Sequence, residues 1–262
     1  MNKTAVISFS GGLDSTSLLL HLIEKKYDIY AISFNYGQKH ILELDKAKEN
    51  IKYFKSNGFE IEHKILDISD SFDILQSSLT NDKEKIPTGY YKNENMKSTV
   101  VPNRNAIFSS FSYACALSLQ KKLGVDVDIA LGVHSGDHEI YPDCRLEFYE
   151  KLFDAFKIGN WDSENIKYYL PYLDFSKSDI INDALKNCKK LKLDFNTIFK
   201  NTLTSYSPNK SGLSDGNTAS DVERILAFHK LNLIDPIKYN FSWEEVLKNA
   251  LIFEKDFKKK SD

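Results

Sequence analysis

The sequence predicts an α/β protein with a Rossmann-like parallel sheet and helices on both of its faces. Three observations carry that expectation. Short β-rich runs alternate with longer segments of helical period, the first and fourth runs are almost wholly apolar, and a double-glycine turn separates the first run from the first helix. The chain has 262 residues, enough for one large domain or a domain with a modest appendage. We expect a main body over residues 1–200 and a small irregular and helical C-terminal region over 201–262.

The elements follow in order. Thr4 to Phe9 is a strand buried on both faces. From Ser15 the pattern turns helical, with Leu18, Leu19, Leu22 and Ile23 on one face and Glu24, Lys25 and Lys26 at the end. Ile29 to Phe34 is a second strand, Ile41 to Asn57 a charged helix stopped by Gly58, and Glu60 to Asp67 a third strand. Thr80 to Ser98 has few large aliphatics and no period, so it reads as a loop or lid; long loops in compact domains usually have a use. Ala106 to Gly124 suits a helix, Asp128 to Val133 a strand, and Leu146 to Lys157 another helix. Thr202 to Ala219, rich in Ser, Asn, Thr and Gly, reads as irregular, and Lys258 to Asp262 as a solvated tail.

Hydrophobic residues make up 42% and charged residues 27% of the chain, which excludes a disordered or collagen-like protein. The net charge is −2, against the basic excess expected of a chain that clamps nucleic acid over its whole surface. Apolar runs are too short for a signal peptide or a membrane span. The three cysteines, Cys115, Cys144 and Cys188, form neither a disulfide framework nor a Cys-x-x-Cys clip. A reduced, cytoplasmic protein is expected.

The strongest local signal is Ser10-Gly11-Gly12-Leu13-Asp14-Ser15, directly after the first strand. At the carboxyl end of a parallel strand, glycines let backbone amides approach an anion, and the following helix start favours negative charge. Ser10 and Ser15 add hydroxyl donors, and Asp14 is placed to hold a phosphate-bound Mg²⁺. Neither a Walker A loop, which needs Lys at the helix start, nor a G-x-G-x-x-G fingerprint is present. A capped tight turn is the alternative reading of the glycines alone.

These six residues resemble the signature of the PP-loop ATP pyrophosphatases, which cleave ATP between the α and β phosphates. Further stretches narrow the resemblance: Phe34-Asn35-Tyr36-Gly37-Gln38-Lys39-His40 followed by Glu43, then Val101-Pro102-Asn103-Arg104-Asn105, then Gly132 to Asp137 leading into Tyr141-Pro142-Asp143-Cys144-Arg145, and Asn201 to Tyr206. Across about 240 residues these resemble the 7-cyano-7-deazaguanine synthase (QueC) family. The resemblance implies a homodimer that uses ATP and Mg²⁺, with 1–200 as nucleotide and substrate domain. It implies adenylation of the carboxylate of 7-carboxy-7-deazaguanine, followed by attack of a nitrogen nucleophile. Asp14, Arg104 and Lys177 are then the catalytic candidates. Ser8, Ser10, Gly11, Gly12, Leu13, Asp14, Ser15, Phe34 and Tyr36 are nucleotide contacts, and Asn105, Asp137, Tyr141, Asp143 and Arg145 substrate contacts. Each has a plainer alternative: an ion-paired Arg104, a helix cap at Asn105, a turn at Asp143, core packing at Phe34, a solvated Lys177. His134 and His138 around Asp137 suggest a metal, but no third strong ligand lies nearby.

The chain departs from the family in two places. Asn103 stands where the family usually has Gly, and Asn tolerates left-handed backbone better than most residues. The family's four zinc-binding cysteines correspond here to Ser205, Asp215, Thr218 and Asp221, counting from Ser205-Tyr206 and Arg224. Without thiolates this is a poor zinc set, so we expect no zinc and a loop held by hydrogen bonds. These departures suit a divergent paralogue of the kind found in antiviral operons such as CBASS, where a protein N-terminal amine replaces ammonia as acceptor. The competing readings are a true 7-cyano-7-deazaguanine synthase, another PP-loop enzyme acting on tRNA, and an inactive nucleotide-binding scaffold. A thiolation enzyme would want paired active-site cysteines, which this sequence does not show, and a tRNA enzyme a basic appended domain, which the charge balance does not suggest.

Overall fold

The computed structural model describes residues 3–80, 85–91, 94–134, 141–207, 209 and 212–261. Five parallel strands form one sheet in the order β3-β2-β1-β4-β5: β1 Thr4–Ser8, β2 Asp28–Asn35, β3 Ile61–Asp67, β4 Val127–Ala130 and β5 Ile166–Tyr169. Ala5 pairs with Ile29 on one side and Asp128 on the other. The chain order reverses between β1 and β4, which makes the carboxyl end of β1 the crevice where an open α/β sheet collects ligands.

Alternation along β1 explains the two cores. Ala5, Ile7 and Phe9 join one apolar cluster with the helices α1 (Leu13–Glu24), α2 (Leu42–Ser56) and α6 (Lys177–Leu191). Val6 points into the other, with Tyr113 and Ala116 of α4 (Arg104–Leu123) and Tyr149 of α5 (Leu146–Gly159). Each large apolar side chain taken fully out of water contributes roughly 1.5–3 kcal/mol, so β1 and the residue that follows it, with Ala5, Val6, Ile7 and Phe9 all fully buried, anchor both layers.

The sequence reading holds for the parallel sheet and shifts at some boundaries. The first helix begins at Leu13, because the glycines already close its first turn, and β4 stops at Ala130. Strand β5 and helix α6 had not been read; β5 is only four residues long, too short to show a period. A short α3 (Ser69–Phe72) follows β3, and α7 (Phe195–Phe199), α8 (Ala219–Lys230) and α9 (Trp243–Ser261) complete the C-terminal part. The expected solvated tail is therefore helical through Ser261. Capping boxes start α6 and α8, Ser176 with Asp179 and Thr218 with Asp221, as the S/T-x-x-acid pattern allows.

The described part of 80–98 is a loop that runs into a short 3₁₀ helix at Glu94–Thr99. It is tied to the C-terminal part: the Gly89 amide donates to the Asn217 carbonyl at 2.9 Å, and Tyr90 packs with Val222, Ile225 and Val246. Among the described residues no helix is long and apolar enough to cross a membrane.

Candidate active site

The glycine turn is shaped by its neighbours as much as by its own sequence. Gly11 has φ +87°, and a Cβ there would collide with the carbonyl oxygen of Glu43 at the start of α2. Only glycine fits both conditions. Gly12 is extended and caps α1 without a side-chain bond. The Ser10 hydroxyl accepts from the Gly12 amide at 3.2 Å and lies 3.1 Å from the Ser15 hydroxyl. The Leu203 amide donates to the Gly11 carbonyl at 3.2 Å, which sets the C-terminal part against the turn. At the start of α1 the first amides have no acceptor within the helix, so they offer themselves to an anion.

Above the turn lies a cavity of ≈ 270 Å³. Of the nucleotide candidates, Ser8, Ser10, Gly12, Leu13, Asp14, Ser15, Phe34 and Tyr36 line it, as do Arg104, Lys177, Asn105 and Tyr141. Gly11 does not line it; its part is steric. Asp143 and Arg145 are not brought into it either. Asp143 sits in the single turn Pro142–Cys144 and Arg145 is the exposed cap of α5. Asp137 and His138 lie outside the described residues.

One end of the cavity is charged. The Lys177 ammonium donates to Asp14 Oδ2 at 2.7 Å and to His134 Nε2 at 2.9 Å, and stands 3.2 Å from Glu223 Oε2. Burial alone would push the Asp14 carboxyl up, but the Lys177 ammonium beside it overrides that and holds it below its ordinary range. Asp14 Oδ1 is buried with no hydrogen-bond partner among the described residues. An ionised carboxylate with an unsatisfied oxygen at a phosphate-binding turn fits a Mg²⁺ ion accompanying polyphosphate. His134 thus meets Lys177; among the described residues no group of three His, Cys, Asp or Glu side chains could hold a metal by itself.

The other end is aromatic and cationic. Arg104 opens α4 after Asn103, whose φ of 58° is the left-handed conformation the sequence allowed for. The guanidinium lies 5.8 Å from the Tyr36 ring centre and 6.0 Å from that of Phe108, and donates to the Tyr36 hydroxyl at 3.4 Å. Burial pushes the Tyr36 phenol up to about 12, so it stays a neutral hydrogen-bonding group. Phe34 stacks on Phe108 at 4.0 Å. Asn105 does not cap the helix; its amide donates to Cys144 Sγ at 3.6 Å and its carbonyl oxygen accepts from Arg104 at 3.4 Å. Tyr141 holds Thr99 at 2.7 Å.

Several lining residues had no role in the sequence reading: His40, Glu43, Tyr91, Phe108, Thr204, Tyr206 and Glu223. Burial lowers His40 to about 3 and raises Glu43 to about 8, so burial weakens the charge of both groups at their 3.6 Å approach. The Gly37-Gln38-Lys39-His40 stretch was a usable signal for the first two, since Gln38 is buried and donates to Glu43 Oε1 at 2.9 Å. Glu223 had none.

The C-terminal residues expected in place of zinc ligands do not fit zinc. Asp221 is fully buried, and its Oδ2 accepts from the hydroxyls of Thr218 at 2.5 Å, Ser214 at 2.7 Å and Ser205 at 2.9 Å. Hard hydroxyls already committed to a single carboxylate are not a tetrahedral thiolate set. Ser214, which is not one of the four cysteine counterparts, joins this knot, while Asp215 is exposed and accepts from Asn240 at 2.6 Å.

Comparison with known proteins agrees with this geometry. The family described as queuosine biosynthesis protein QueC matches residues 4–232. A 7-cyano-7-deazaguanine synthase from Marinomonas sp. is 40% identical over 91% of this chain and 99% of its own length. One from Caldicellulosiruptor saccharolyticus is 39% identical over 92% and 98%. Among solved structures, the NMN synthetase from Francisella tularensis covers 97% of this chain and 85% of its own at 14% identity, with a TM-score of 0.42, a likeness too slight to argue from.

Proposed function

The chain belongs to the queuosine biosynthesis protein QueC family, and from that premise we propose that it adenylates the carboxylate of 7-carboxy-7-deazaguanine and passes the acyl group to a nitrogen nucleophile. As a QueC-type chain it is an ATP-using PP-loop enzyme. The observation that carries the finer reading is the cavity itself, with a phosphate-binding turn and Lys177 at one end and the Arg104 guanidinium at the other.

A carboxylate is a poor electrophile because oxide would have to leave. Its oxygen attacks the α-phosphorus, the bond to the bridging oxygen breaks, and pyrophosphate departs with that electron pair. The amides opening α1, the hydroxyls of Ser10 and Ser15, and Lys177 hold the leaving pyrophosphate. Asp14 would hold Mg²⁺, which when bound offsets charge on the phosphates. Arg104 presents a two-pronged donor to the acid and aims it at phosphorus, while Tyr36 and Phe108 keep the guanidinium in place. The nitrogen lone pair then attacks the acyl carbon, AMP leaves, and the nitrogen loses a proton.

The acceptor is ammonia, giving the amide and, after a second ATP, the nitrile, or the N-terminal amine of a protein partner in an antiviral setting. The names of the relatives favour the first. A cytoplasmic homodimer of a nucleotide and substrate domain, 1–200, and a zinc-free C-terminal region, 201–262, belongs to the same reading. Mass spectrometry after incubation with Mg²⁺-ATP, the acid, ammonia and candidate protein acceptors tests it. We expect acid-dependent AMP and pyrophosphate with an amide, a nitrile or an acylated protein. Release of ADP, or no acid-dependent AMP with any acceptor, would overturn it.

A further inference from the structure

Transfer of the acyl group leaves a proton to be placed. A nitrogen that has attacked the acyl carbon carries one hydrogen too many, and a general base at the cavity speeds the step by taking it. Three acidic side chains line the cavity among the described residues: Asp14, Glu43 and Glu223. Asp14 and Glu223 stand 2.7 and 3.2 Å from the Lys177 ammonium. Glu43 meets no lysine or arginine at ion-pair distance among the described residues; its close neighbours are His40 and Gln38.

Glu43 is built into the site from two sides. Its backbone carbonyl packs against Gly11, where a Cβ would collide with it, so the start of α2 is set directly on the glycine turn. Gln38 then fixes how the carboxyl is used. Its oxygen accepts the Tyr36 amide at 2.9 Å, so its nitrogen is the donor, giving one hydrogen to the Phe34 carbonyl at 3.1 Å and one to Glu43 Oε1 at 2.9 Å. Oε1 is therefore an acceptor whatever the charge of Glu43. Oε2, which makes no hydrogen bond among the described residues, is the oxygen left to gain or lose a proton.

We propose that Glu43 is a catalytic residue whose Oε2 takes the proton from the nitrogen nucleophile as it attacks the acyl adenylate. The inference rests on the functional reading above. In that step the nitrogen–carbon bond forms, the bond from the acyl carbon to the AMP oxygen breaks with its electron pair going to AMP, and the nitrogen proton passes to Oε2. The surroundings suit a base that works near neutral pH. Burial raises the Glu43 carboxyl to about 8, while the Gln38 hydrogen bond and the Arg104 guanidinium of α4 pull it down. His40 stands 3.6 Å away, Tyr206 of the C-terminal part lies 5.7 Å from the His40 ring, and Tyr36 is near enough to feel the charge of Glu43.

The test separates the two half-reactions. Acid-dependent exchange of labelled pyrophosphate into ATP reads adenylation. Hydroxamate formation from hydroxylamine, which is largely unprotonated at neutral pH, reads acyl transfer. Glu43→Gln keeps the shape of the side chain and is expected to lower transfer about a hundredfold more than exchange. Glu43→Asp, which keeps a carboxylate, should recover part of that loss. In the wild type the ratio of transfer to exchange should rise with pH and level off, and the rise should vanish in Glu43→Gln. The wild-type profile also serves if the Gln variant folds poorly. A loss no greater in transfer than in exchange, or a wild-type ratio that does not change with pH, overturns the proposal, while wild-type exchange leaves the parent reading standing. A wild-type protein with no acid-dependent exchange overturns both.

Discussion

Asp14 and Asp221 are both aspartates near a helix start with one buried, unsatisfied oxygen, and they have opposite chemistry. Asp14 faces a cavity and a lysine ammonium, which holds its carboxyl below the ordinary range. Asp221 is enclosed by hydroxyls; burial raises its carboxyl, and the hydrogen bonds of Thr218, Ser214 and Ser205 offset that only in part. The nearby cation, Arg224, is committed to Asp235. A carboxylate given a lysine ammonium and an opening is equipped for ligand chemistry. One given fixed hydroxyls and no opening is a structural fastener.

The largest expected break of this contrast is Asp14→Asn. It should lower acid-dependent pyrophosphate release by about a thousandfold or more with an unchanged circular dichroism spectrum; retained activity would remove Asp14 from the chemistry. Next comes Asp221→Ala, which leaves the hydroxyls of Ser205, Ser214 and Thr218 without their acceptor. A loss of about 3 kcal/mol in denaturant unfolding is expected, against about 1 kcal/mol for Asp221→Asn, which keeps an acceptor oxygen.

Smaller, and sharper in sign, are the pH slopes. The depressed Asp14 gives wild type stability that is present above the unfolded carboxyl value and lost as pH falls through the lower folded one. The raised Asp221 gives stability present below the unfolded value and lost as pH rises through the folded one. Relative to wild type, Asp14→Asn should therefore lose ground between acid and neutral pH and Asp221→Asn should gain it. Melting-temperature differences from wild type that change with pH in the same direction for both variants would contradict the comparison. The smallest effect is expected from metal removal: a chelator should leave the melting temperature within about a degree, because loss of a structural zinc would cost far more. Emission spectroscopy finding one tightly bound zinc per chain would show that the hydroxyl knot is not what holds the loop.

Much of this was legible in the chain. Thr-Ala-Val-Ile followed by Gly11-Gly12 pointed to a buried strand, a tight glycine turn and the start of a helix, because those features depend on side chains close in sequence. Asn103 announced a left-handed residue ahead of Arg104. The placement of Arg104, Lys177 and Tyr36 on one cavity also agrees with the motifs that suggested them. Other features needed the fold. Asp143 lies in the single turn Pro142–Cys144 and Arg145 caps α5, outside the residues that line the cavity. Ser214, which no motif marked, joins Ser205 and Thr218 on Asp221, while Asp215 meets Asn240.

What the sequence determined by itself was the architecture, the location of the glycine turn and the family, since strand burial, glycine geometry and motif order are local and survive reading in one dimension. What only the tertiary structure decided was charge. Whether Asp14 is held below its ordinary range, Glu43 is pushed above it, or Glu223 is present at the site depends on groups brought together from distant elements, and burial and counter-charge exist only after the chain has folded.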